Sequence, residues 1–204
     1  MHNCLFWVDI IGQSLFRLDW QTKQMIYFGM PEPICWIMEA QDGQLVAGFE
    51  KGIYRLDSNT FERQLLFSLA NEPNSNRLND GKTDRNGHGF FGTMDKEGQR
   101  TSGSLYRFGH GKSPEQVDSN YTISNGPAVS RSGDYLYSTA SDERTIYRFS
   151  LDDQGQLSDK QPFITFTDEM GFPDGMTVDS DDHIWVAAWN DYGLYRFSPT
   201  GEQR

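Results

Sequence analysis

Cysteine is nearly absent: Cys4 and Cys35 are the only two in 204 residues. They form no CxxC pair, and two thiols build neither a disulfide framework nor a soft-metal site. Both read as free or buried thiols of a protein kept in a reducing, cytoplasmic compartment. No apolar run of 18 residues exists, so no membrane-spanning helix is predicted. The opening segment MHNCLFWVDIIGQSLFRLD has neither a basic start nor a long apolar stretch, so it reads as a strand and not a signal peptide. Basic residues are in short supply, with 18 Lys and Arg against 29 Asp and Glu and a net charge of −11. That balance argues against a nucleic-acid partner, because such binding rests on Lys and Arg neutralising phosphates. It fits a bound cation, and equally a solvated acidic surface.

Strand formers and turn residues are plentiful instead. Aromatic residues make up 14% of the chain, with 20 Gly and only 36% hydrophobic residues, a profile of many short strands joined by turns. An aromatic-aliphatic unit recurs: LFRLD (15–19), IYRLD (53–57), LYRF (105–108), IYRF (146–149) and LYRF (194–197). A second apolar run precedes each one: LFWVDI, QLVAGF, FFGTM, YLYSTA and IWVAAW. A third follows the first four: QMIYFG, RQLLFSL, PEQVDSN and QPFITF. A fourth element precedes the second run in the last four repeats: ICWIMEAQDG, NDGKTDRNG, NGPAVSRSG and DGMTVDSDD. Four strands per unit, repeating every 38 to 52 residues, predict an all-β fold, a β-propeller. The first repeat lacks its inner strand and the fifth its outer one. Residues 1–204 therefore read as a single partial propeller domain of about five blades with incomplete ends, not a closed ring. Open blade edges of that kind predict self-association.

Aligning the inner strands on the turns that end them, DRNG, SRSG and DSDD, brings Asn79, Asn125 and Asp174 into register. The same count in the second repeat lands on Cys35. Inner strands of a propeller line its central channel, so residues in register converge on the axis. Two carboxamides and a carboxylate there offer hard oxygen ligands for Ca²⁺, Mg²⁺, Mn²⁺ or Zn²⁺. Asp174 precedes Gly175, however, and DG is also an ordinary turn pair.

In order along the whole chain, LFWVDI, RLNDGKTDRNGHGFFGTMDKEG, GSLYRF, ISNGPAVSRSGDYLYSTAS and FPDGMTVDSDDHIWVAAWNDYGLYRFSPTG resemble the SMP-30/gluconolactonase/regucalcin family of six-bladed propellers. The resemblance implies a metal-dependent hydrolase of sugar-acid lactones, with one divalent metal on the axis. It places metal ligands at Asn125 and Asp174, and gives Asp174 the further role of accepting a proton from the attacking water. It places substrate contacts at Arg77, Asn79 and, in the variable loop after GTM, Glu97. The family's third metal ligand is a glutamate well upstream of the position matching Asp9, which falls before Met1. The chain thus reads as shortened at both ends, and some family members are calcium-binding proteins. The functions that remain open are a lactone hydrolase acting on a small sugar lactone, a non-catalytic propeller that binds calcium or a protein, and an inactive shortened member of the family.

Other candidates are weaker. His2, His88, His110 and His183 show no HxH or HExxH spacing and read as surface residues. Ser104, Ser124, Ser130 and Ser138 lie in no GxSxG elbow. NGHGFFG opens a strand and not a helix, so it is no phosphate cradle. DSDDH (179–183) alternates acids like the start of a calcium loop, but lacks the glycine and terminal glutamate and reads as a hairpin turn. Trp185 and Trp189 share one strand face, as core packing or as a sugar platform.

Overall fold

The structure is a computed structural model describing residues 3–204; His2 lies outside the described residues. It is all-β, with one 3₁₀ turn at Asp168–Met170. Among the described residues no helix is long and apolar enough to cross a membrane. The chain forms two compact units, one up to Leu78 and the other Asn79–Arg204.

The first unit contains two antiparallel meanders. One is three-stranded, β1 (Cys4–Asp9), β2 (Ser14–Asp19) and β3 (Met25–Gly29). The other is four-stranded, β4 (Ile34–Glu39), β5 (Leu45–Phe49), β6 (Gly52–Leu56) and β7 (Arg63–Ser68). Between them pack Leu15, Ile34, Leu45, Ala47, Phe49, Leu56 and Phe61, all buried.

Three further meanders follow. β8 (Asn76–Thr83) enters the second unit from the first and leads to β9 (Gly89–Asp95), β10 (Gly103–Gly109) and β11 (Lys112–Tyr121). Next come β12 (Ser124–Val129), β13 (Tyr135–Ala140), β14 (Thr145–Leu151) and β15 (Leu157–Thr165). The last sheet is three-stranded: β16 (Phe172–Val178), β17 (Ile184–Trp189) and β18 (Gly193–Phe197). Five sheets in chain order, each a contiguous meander, are the five blades read from the repeat. The first lacks an inner strand and the fifth an outer one, as the repeat predicts.

Strand β17 shows how sequence makes these sheets. Its period-2 pattern points Ile184, Val186 and Ala188 inward, where they meet Ala128, Tyr137, Ile146 and Met176 of the neighbouring sheet and of β16. A second layer, Phe90, Leu105, Tyr121, Leu136 and Phe149, fills the space between the β8–β11 and β12–β15 sheets. Several of these side chains are fully buried, each contributing about 1.5–3 kcal/mol by leaving water. The tryptophans take the other face. Trp189 is 63% exposed against Phe172, so core packing does not account for it.

The hairpins close on aspartates. Asp84 accepts the backbone N–H of Asn86 at 2.9 Å and of His88 at 2.8 Å. Asp152 does the same for Gln154 and Gln156, and Asp179 for Asp181 and His183. An aspartate bonding its own backbone two residues on is the turn chemistry that DRNG and DSDD announce. The reading of His88 as a surface residue is corrected: it is buried, with Nδ1 2.8 Å from Asp84 Oδ2. His110 is exposed and His183 partly buried.

Candidate metal and substrate site

Asn79 is the fourth residue of β8, Asn125 the second of β12 and Asp174 the third of β16. Asp174 is therefore a strand residue, which removes the turn reading of Asp174-Gly175. The ladder is irregular beside two of them. Pairing of β12 with β13 shifts after Asn125↔Thr139, and pairing of β16 with β17 shifts between Pro173 and Met176, across Asp174. In the first unit, β4 shifts between Ile34 and Trp36, at Cys35. Bulges re-aim side chains and recur beside functional sites.

Hydrogen bonds tie the three strands of the second unit together. The amide nitrogen of Asn79, buried, donates to Ser124 O at 2.9 Å and to Asn125 Oδ1 at 2.6 Å. Asn125 Nδ2 donates to Ser141 Oγ at 3.0 Å, and Ser141 Oγ donates to Pro173 O at 2.7 Å. A line of polar contacts thus runs from β8 through β12 to the residue before Asp174. Ser141, just beyond β13, is buried.

Asp80, next to Asn79, belongs to this group and was missed in the sequence. Its carboxylate accepts the N–H of Gly81 at 2.7 Å and of Gly126 at 3.2 Å. Its Oδ2 lies 3.4 Å from where a Cβ on Gly175 would stand. Burial raises the Asp80 pKa above the usual carboxylate value, and the charge of Asp174 raises it further. Gly126 itself has φ +62°, and a Cβ there would come within 2.5 Å of Met176 Cε. A side chain there would be strained by the positive φ and would push Met176 aside. Asp80 sits inside the NDGK block, and Ser141 ends the YLYSTAS block, so both lay within segments already singled out.

The other predicted residues are Arg77 and Glu97. Arg77, partly buried, donates to Leu78 O at 2.8 Å and hydrogen-bonds the Cys35 thiol. Cys35 is 4% exposed, and burial pushes its thiol up to about 12 in spite of Arg77. A thiol that stays protonated is no metal ligand. Glu97 is exposed in the turn after β9.

Asp179, Asp181 and His183 also bring three candidate ligand atoms together. Both oxygens of Asp179 are already engaged, Oδ1 by the backbone and Oδ2 by Trp185 Nε1 at 2.9 Å and Arg196 at 2.9 Å. The hairpin-turn reading of DSDDH is what the contacts describe. A cavity of about 460 Å³ lined by residues including Asn86, His88, Arg107 and Gln154 lies past the far end of β8, and none of the carboxamide group lines it.

The residues present suit a hard divalent cation. Asn125 and Asp174 supply neutral and anionic oxygens, and the second carboxylate at Asp80 adds negative charge that a cation would balance. No sulfur or imidazole belongs to the group.

The chain is 31% identical to 6-deoxy-6-sulfogluconolactonase of Pseudomonas putida over 203 residues, covering 97% of this chain and 68% of that one. It is 30% identical to pentonolactonase XacC of Haloferax volcanii over 201 residues, covering 98% and 67%. Regucalcin of Agrobacterium tumefaciens, a calcium-binding protein, superposes with a TM-score of 0.93 at 24% identity, over 99% of this chain and 69% of its own. That match shows the shared β-propeller fold. The profile of the SMP-30/Gluconolactonase/LRE-like region matches residues 1–204, and the chain belongs to that family.

Proposed function

We propose that this protein hydrolyses a sugar-acid lactone at a divalent-metal site held by Asn125 and Asp174. The observation that carries the reading is the hydrogen-bonded line Asn79–Asn125–Ser141–Pro173, which joins β8 and β12 to the residue before Asp174. The lactonase names of relatives about 30% identical support the substrate class.

A bound divalent metal supplies Lewis-acid polarisation of the lactone carbonyl and lowers the pKa of a bound water toward ~7. Asp174 would hold the cation and would take the proton of the attacking water. Asn125 would offer a neutral oxygen, which adds no further negative charge against the oxyanion that develops as the ester carbonyl becomes tetrahedral. Ring opening then leaves a carboxylate and a free hydroxyl. Asn79 fixes Asn125 and contacts substrate oxygens. Arg77 donates to substrate hydroxyls, and Glu97 accepts from them on the loop after β9. Ca²⁺, Mg²⁺, Mn²⁺ and Zn²⁺ all suit the donor set.

The test is acid release from glucono-1,5-lactone, in EDTA and with each metal restored, beside Asp174→Asn. Metal-dependent turnover that falls by about 10²-fold or more in the variant supports the reading, in line with loss of a metal-held nucleophile. Equal turnover in EDTA and metal, or in both proteins, rejects it.

A further inference from the structure

A carboxamide presents either an oxygen or an NH₂ group, and only the oxygen binds a hard cation. A half-turn about the last side-chain bond exchanges them. At Asn125 the choice is made by two backbone carbonyls, neither of which can donate. Ser124 O accepts from Asn79 at 2.9 Å, so the atom of Asn79 there is nitrogen. That nitrogen reaches Asn125 at 2.6 Å, so the facing atom of Asn125 is oxygen. From the other side, Pro173 O accepts from Ser141 at 2.7 Å, which commits the hydroxyl proton. Ser141 Oγ can then only accept from Asn125, 3.0 Å away, so the atom of Asn125 there is nitrogen. The two ends of the line agree.

We propose that Ser141 is a positioning residue: its hydroxyl, anchored on Pro173 O, locks the Asn125 amide with the oxygen available to a divalent cation. An amide oxygen has two lone pairs. One is taken by Asn79, which leaves the other for the metal. The same hydroxyl ties β12 to the residue before Asp174, so it sets two of the proposed ligands at once. The role rests on the metal reading of the site and adds to it a residue that touches neither metal nor substrate.

Binding of Mn²⁺ alone, followed by calorimetry in full-length protein, tests it without recourse to turnover. Ser141→Ala should weaken Mn²⁺ binding by about tenfold, the lower end of what loss of a ligand-orienting partner costs. In Asn125→Asp both side-chain oxygens are ligands and the half-turn loses its meaning. Adding Ser141→Ala to Asn125→Asp should then leave Mn²⁺ binding unchanged. Undiminished binding by Ser141→Ala, or an equal loss in both backgrounds, overturns the proposal and leaves Ser141 a packing residue. Asp174→Asn separates the two levels. If it binds Mn²⁺ as tightly as the unaltered protein, the metal reading falls and this role with it. If Asp174→Asn loses binding and Ser141→Ala does not, only the role of Ser141 falls. Should Ser141→Ala fail to fold, ¹⁵N spectra of the unaltered protein carry the test. The Asn125 side-chain NH₂ should be protected from solvent exchange, and exchange as fast as an exposed asparagine overturns the proposal.

Discussion

The amide nitrogen of Asn79 stands 2.6 Å from the amide oxygen of Asn125, 46 residues further along the chain. The same nitrogen serves Ser124 O, so Asn79 acts there as a double donor. Asn79→Asp keeps the shape and removes both donors, setting carboxylate oxygens against two acceptors. It should destabilise the protein more than Asn79→Ala, which leaves two acceptors unmet at about 1–3 kcal/mol. Urea midpoints in EDTA measure the order, and Asp tolerated better than Ala rejects the donor role.

Gly126→Ala should cost about 1–3 kcal/mol, because it forces a side chain into the left-handed region and against Met176. The same exchange at Gly29, where a Cβ meets nothing within 4 Å, is the control. Equal urea midpoints for the two variants would contradict the strain argument.

Cys35 gives a pH dependence on the alkaline side. Its folded pKa is raised to about 12 from 9.0, so the neutral thiol is favoured by folding. The unfolded chain ionises first, and stability falls as pH climbs from about 9 towards 12, with a slope approaching about 1.4 kcal/mol per unit from this group. Cys35→Ala should flatten that limb. In the native protein at pH 8, a thiol reagent should label Cys4 and spare Cys35, and denaturation should expose both.

Asp179 gives the acid side. Its carboxyl is held well below the usual carboxylate range, chiefly by the Trp185 indole, with backbone N–H groups and Arg196 adding to it. A depressed folded pKa contributes stability above the unfolded value of 3.8, lost as pH falls below it. Asp179→Asn should therefore lower the urea midpoint at pH 6, with the gap to the unaltered protein closing in acid. A gap that stays constant down to low pH counts against the carboxylate.

Much of this was readable in the chain. Strand positions followed from period-2 runs such as IWVAAW, and the turns from aspartates bonding their own backbone. Those turns supplied the ruler that set Asn79, Asn125 and Asp174 in register, and the family resemblance agreed with it. Asp80 and Ser141 escaped because their roles are decided by neighbours distant in sequence. Asp80 sits beside Asn79 on the same strand, yet its importance comes from Gly126 and Asp174, which only packed sheets bring near. Ser141 looked like one hydroxyl among many until its proton was traced to Pro173. His88 was misjudged because the Asp84 that draws it inward is four residues away and is also a turn residue. For Trp189 the sequence left two readings open, because a tryptophan in an apolar strand is no guide to which face it takes.

Each blade is a contiguous stretch of chain, whereas Asn79–Asn125 and Ser141–Pro173 join one blade to the next. Short-range hairpins form on the microsecond scale, and docking between sheets comes later. Cation binding should then be acquired last in refolding and lost first under denaturant. Mn²⁺ release should precede the loss of far-ultraviolet β signal, so that strand content alone overstates how much competent protein is present.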